Sequence, residues 1–102
     1  MRIPFTITAD HVRLGVPDCI GCPANLALSG LLGPGHKVVM YAHRGTIDGY
    51  PVKVPPDLKA WLLDFDVSVN VGAERPEPGE FWVEMDDTHA AQVFAGTTGR
   101  AG

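Results

Sequence analysis

The feature that most limits what this chain can fold into is Asp18-Cys19-Ile20-Gly21-Cys22-Pro23, followed directly by Ala24-Asn25-Leu26-Ala27-Leu28. Proline lacks a backbone N–H and holds φ near the helical value, so it suits the first position of a helix and is costly further in. A helix therefore starts at Pro23 and stops at Gly33-Pro34-Gly35, and a Val16-Pro17-Asp18 turn precedes it. Both cysteines of the protein sit on that junction. They are readable as a metal half-site, as a redox pair at a helix N-terminus, or as small buried residues that fix a turn.

The remaining segments supply a sheet for this helix to cover. Ile3, Phe5 and Ile7 alternate with Pro4, Thr6 and Thr8, the period of a half-buried strand whose proline places it near an edge. Thr8 then caps a short helix that carries Asp10 in its first turn and ends at Gly15. Residues 37–44 put Val38, Met40 and Ala42 on one face and Val39, Tyr41 and His43 on the other, which predicts a central strand. Gly45 or Asp48-Gly49 turns the chain into a partner built on Tyr50, Val52 and Val54, an edge strand because of Pro51.

Pro55-Pro56-Asp57 opens the clearest helix, in which Leu58, Trp61, Leu62 and Phe65 form one apolar stripe. Val67, Val69 and Val71 then read as a short strand, and residues 72–79 as an exposed loop. Phe81, Val83 and Met85 alternate with Trp82 and Glu84 as the last strand. The expected fold is a single α+β domain over residues 1–85, a mixed or antiparallel sheet of about four strands with helices on one face. Residues 86–102 form a C-terminal extension, with one short helix capped by Asp87 and disorder from Thr97 onward.

Composition narrows the function classes. Apolar residues make up 45% and charged residues 20%, ordinary globular values for a chain of 102 residues that can bury a core unaided. No apolar run approaches the roughly 18 to 20 residues that span a bilayer, and no signal-peptide segment opens the chain, so a cytoplasmic protein with no membrane partner is expected. In that compartment a close cysteine pair is usually reduced. The net charge of −4 is uneven, with nine acidic against two basic residues over residues 57–87. That balance disfavours nucleic acid, which needs a basic patch to neutralise phosphates.

Catalytic patterns are missing from the sequence. It contains no G-x-S-x-G, no Walker loop and no H-E-x-x-H, and Asp64 and Asp66 diverge on the helix, so a non-enzymatic protein without a cofactor is expected. Zinc is the alternative. Thirteen residues separate Cys22 from His36 and six separate His36 from His43, close to finger spacing but one residue too wide. The set that remains is His11, Cys19, Cys22 and His36. A dithiol reading meets a turn where a thioredoxin-like site has a buried strand. The partner-binding candidates are Trp82, its neighbour Phe81, and Glu80 and Glu84, which flank the indole on one strand face and suggest an anchor for a basic partner.

Three stretches carry a resemblance. These are Ile7-Thr8-Ala9-Asp10-His11-Val12 ending at Gly15, Cys19-Ile20-Gly21-Cys22-Pro23-Ala24-Asn25-Leu26-Ala27-Leu28, and Pro55-Pro56-Asp57-Leu58-Lys59-Ala60-Trp61-Leu62 running to Phe65-Asp66. With the late Phe81-Trp82-Val83-Glu84 strand, they resemble small orphan proteins encoded by phages of actinobacteria. That resemblance implies a phage accessory protein in the bacterial cytoplasm that binds and disables a host factor, to the detriment of host growth. It carries over no catalytic residues and leaves a homodimer open.

Overall fold

Alternation in β1 (Arg2–Ile7) sends Ile3, Phe5 and Ile7 inward, and each is buried while its neighbours are exposed. The computed structural model describes residues 1–99. Its elements continue as α1 (Ala9–Leu14), α2 (Pro23–Leu32), β2 (Val38–Met40), β3 (Gly45–Ile47), β4 (Tyr50–Lys53), α3 (Pro56–Val71), β5 (Gly79–Met85) and α4 (Asp87–Gly99). The strands form one antiparallel sheet in the order β1-β5-β4-β3-β2. Side chains from α2, α3 and α4 join Ile3, Phe5, Ile7, Val83 and Met85 in one core, so the helices cover a single face. The α+β architecture expected from the sequence is the observed one, with five strands instead of about four.

Several element assignments change, each for a local reason. Residues 37–44 do not form a central strand. β2 stops at Met40 and lies at the sheet edge, because the Tyr41 N–H turns back to the Arg44 carbonyl. The centre belongs to β5 and β4. Pro51 nevertheless sits within β4, between two neighbours. Ile47 and Tyr50 flank a two-residue turn, so Thr46–Pro51 is the next, non-hydrogen-bonded pair toward β3, and the proline nitrogen faces β5, where pairing starts only at Val52–Met85. The missing N–H is spared at the last place in an inner strand where it is not needed.

Asp48 and Gly49 both take positive φ, 53° and 85°, the type I′ geometry that matches the twist of a tight hairpin. Asp48 also accepts from the Lys37 N–H at 2.7 Å and meets His36 Nδ1 at 2.7 Å, fastening the edge strand's entry to the hairpin. Val67, Val69 and Val71 extend α3 to Gly72 and make no strand. Gly72 ends the helix in the left-handed conformation, and Ser68 turns its hydroxyl to the Phe65 carbonyl. Leu58, Leu62 and Phe65 are buried as the stripe requires, while Trp61 is half-buried, stacked on Phe65 and donating from Nε1 to the Glu77 carbonyl. The 72–78 loop is thereby tied down, and Arg75 crosses to the carbonyls of Val12, Arg13 and Gly15 at the end of α1.

Thr8 caps α1 as expected, in a capping box completed by the His11 ring. At α4 the cap is Asp86, whose carboxylate accepts from the Thr88 N–H, and the helix continues through Thr97 to Gly99, where disorder was expected. Ala90 and Val93 of this helix are buried in the core. The expectation for Arg100, Ala101 and Gly102 lies outside the described residues.

One buried polar side chain joins three of these pieces. Asn25 Nδ2 donates to the carbonyls of Cys19 and Val38, and Oδ1 accepts from Ser29 Oγ. Asn25→Ala should lower the unfolding free energy by about 2 kcal/mol in urea titration, because it strands buried partners. Asn25→Leu, which refills volume without hydrogen bonds, should not restore it.

Asp48 gives a pH signature. Burial raises its carboxyl, but the bonds from His36 and the Lys37 N–H outweigh that and hold it below the ordinary range. A depressed carboxylate contributes stability above its unfolded value that is lost as pH falls through the folded one. Thermal unfolding should therefore show wild type weakening below about pH 4, and Asp48→Asn, which tolerates the left-handed turn, weakening less.

Candidate functional site

The cysteine junction is built by Asp18. Its Oδ1 accepts from the N–H groups of Ile20 and Gly21, and its carbonyl accepts from the Cys22 N–H at 3.2 Å. Gly21 is required at this bend, since a Cβ there would lie 2.6 Å from Val16 Cγ2 and 3.0 Å from Asp18 Oδ1. Cys22 is the N-cap of α2, with its sulfur accepting from the Asn25 N–H at 3.4 Å and Pro23 in the first helical turn. Cys22 is buried and Cys19 half-exposed, both as free thiols.

Both thiols line one cavity of about 250 Å³ between the junction, the end of β2 and α3. Met40, Ala42, Leu62 and Leu63 supply apolar wall, and Asp18, Tyr41, His43 and Asp66 supply polar groups. Burial pushes the Cys22 thiol above its ordinary value, and the nearby carboxylates of Asp66 and Asp18 push it the same way, against the helix N–H groups that lower it. Burial likewise raises the Asp66 carboxyl. The Tyr41 and Cys19 side chains share a hydrogen bond, the main cause of a raised Tyr41 phenol.

The zinc set is dispersed. Cys19 and Cys22 stay together, but His11 is committed to the α1 cap, and His36 lies against Asp48 and the Phe94 ring of α4. Among the described residues no group of three or more His, Cys, Asp or Glu is arranged to hold a metal ion. His43, one residue too far along for finger spacing, is the histidine that does reach the cysteine cavity.

A second surface lies on the helix-free face of the sheet. Trp82 is half-buried there, with the Arg2 guanidinium 4.1 Å from its ring centre and Glu80 and Glu84 on the same strand face. Arg2 also pairs with Glu84 at 3.6 Å, and Lys53 faces Glu84 across the ladder, so the surround is mixed in charge where the sequence suggested an acidic rim. Phe81 points to the other face, against Phe5 and Trp61. A groove of about 560 Å³ runs from Trp82 and Glu84 to Pro55, Pro56 and Asp57.

Sequence reasoning missed Tyr41, His43 and Asp66 at the thiols and Arg2 at the indole. Asp66 had a usable signal, since it follows Leu62 by four residues and so flanks the apolar stripe. Arg2 had none, because its contact is made across the β1–β5 ladder. Comparison with known proteins finds no matching family model, curated protein or solved structure.

A raised carboxyl penalises the folded state once the unfolded chain ionises, so the penalty is absent at low pH and fully present above the folded value. Asp66→Asn should therefore unfold at higher temperature than wild type near neutral pH, with the difference vanishing below about pH 4.

Proposed function

We propose that this protein is a non-enzymatic binding module whose helix-free sheet face, centred on Trp82, receives a protein partner. The observation that carries the reading is the placement of that indole. A large aromatic side chain lies outside the core on an uncovered face, with the Arg2 guanidinium over its ring and Glu80, Glu84 and Lys53 around it. Interface hot spots have this composition, an aromatic anchor with arginine and a charged rim. The groove toward Pro55 and Pro56 adds apolar wall beside the anchor.

The resemblance to actinobacterial phage proteins makes a bacterial host protein the proposed partner and interference with host growth the proposed outcome. None of the described helices is long and apolar enough to cross a membrane, in keeping with an interaction made in aqueous solution.

Trp82→Ala removes the anchor and the Arg2 contact while leaving the core intact, so it should cost about 1 kcal/mol of stability. It should weaken partner binding by about 2 kcal/mol or more. Capture from actinobacterial lysate, compared between wild type and Trp82→Ala at matched salt, checks this. A partner held by wild type and lost by the variant supports the reading. Equal retention by both, or a variant that no longer folds, places the indole in a structural role instead.

A further inference from the structure

Two thiols in one cavity are more than a turn requires. Cys22 alone caps α2, through its sulfur on the Asn25 N–H, and Cys19 contributes to the fold through its backbone carbonyl, which accepts from Met40 N–H and Asn25 Nδ2. The Cys19 thiol is left facing the cavity beside Tyr41. The turn closed from Cys22 N–H to Asp18 carbonyl sets the two cysteines three residues apart on a helix-like bend, where Cα atoms lie about 5 Å from one another, inside the span a disulfide bridges once a small adjustment of the bend draws the two Cβ atoms together.

We propose that Cys19 and Cys22 form a reversible dithiol–disulfide centre that exchanges with a disulfide presented at the cavity mouth, Cys19 attacking first and Cys22 closing the bond. The order follows from access, because Cys19 is half-exposed and Cys22 is buried. The mouth is suited to an apolar flank of the incoming disulfide, since Tyr41 and Leu63, both exposed, line it. In the first step the Cys19 thiolate attacks one sulfur of the incoming disulfide. Its S–S bond breaks, one thiolate leaves and takes up a proton, and a mixed disulfide with Cys19 forms. In the second, Cys22 gives its proton to the Asp66 carboxylate and attacks the Cys19 sulfur. The second thiolate leaves, is protonated, and the Cys19–Cys22 bond remains. The protein loses two electrons and two protons, and the incoming disulfide becomes two thiols.

Asp66 is the acceptor that the cavity offers. Its carboxyl is raised by burial, which makes it a better proton acceptor than an ordinary carboxylate, and it is near enough to Cys22 to oppose ionisation of that thiol. Asp18 is occupied by the turn N–H groups, and His43 and Tyr41 complete the titratable groups of the cavity. This centre goes beyond the binding module proposed above. It lies at the junction of α2 with β2 and α3, separate from the Trp82 face, and needs only one oxidation per chain.

Hydroxyethyl disulfide, small and uncharged, tests it on the intact chain by mass spectrometry. Wild type should end two hydrogen masses lighter, with one Cys19–Cys22 disulfide that dithiothreitol reverses. Cys22→Ser should instead accumulate a single adduct on Cys19, and Cys19→Ser should resist modification while folded. Asp66→Asn should form the first adduct at the wild-type rate and close the disulfide about tenfold more slowly. A wild-type product that retains a stable adduct without closing overturns the proposal, as does modification of Cys22 in Cys19→Ser at the rate seen for Cys19. An unchanged closing rate in Asp66→Asn removes Asp66 from the mechanism. The wild-type measurement stands without any variant, so a cysteine variant that fails to fold leaves it decisive.

Discussion

The side chain on which the rest of this structure depends is Asn25. It is buried one turn into α2, and its amide reaches out of the helix in two directions, to the Cys19 carbonyl in the preceding turn and to the Val38 carbonyl in β2. A helix laid on a sheet by apolar contact alone can slide or rotate at little cost. A satisfied buried amide fixes both, since any displacement leaves carbonyls without partners in a dry environment. The cysteine turn, the start of α2 and the short edge strand are therefore one unit. A three-residue strand such as β2 gains its place from this tie and from the Asp48 contacts on its other side.

The short helix that leads into this turn is held differently. α1 has no buried residue and only six residues, too few to be stable alone. Arg75 supplies what it lacks, since one guanidinium nitrogen donates to three carbonyls at the end of α1 while the group lies 5.4 Å from the Phe65 ring centre. Trp61 holds the same loop through the Glu77 carbonyl and packs on Phe65 and Phe81. The 72–78 segment thus works as a strap across the helices, anchored by two long side chains.

With the helices gathered on one face, the molecule presents two chemically distinct regions. The uncovered sheet face carries Trp82 among charges of both signs. The α2 junction carries two thiols in a small cavity with a raised carboxyl. The two regions lie on opposite sides of the sheet, because Trp82 belongs to the outward set of β5 whereas Met40 and Leu62, which wall the thiol cavity, belong to the core. Substitution at one can be made without disturbing the other.

Local chemistry alone determined a good part of this protein. The start of α2 at Pro23, the Thr8 cap, the stripe of Leu58, Leu62 and Phe65, the Asp48-Gly49 turn and the opposite faces of Trp82 and Phe81 all follow from φ restriction, capping and side-chain period, which act within a few residues. Tertiary structure decided what those rules leave degenerate. The valines of residues 67–71 suit a strand by propensity, yet they continue a helix already nucleated and packed, and β propensity is a preference for half-buried surface more than for a backbone shape. Residues 38–40 are apolar enough for a central strand, and their edge position was set by the long-range pairing of β1 with β5 and of β5 with β4. The same long-range pairing brought Arg2 over Trp82, and the packing of α3 on the α2 junction brought Asp66 to Cys22. Such contacts join residues tens of positions apart, and no periodicity in the chain encodes them.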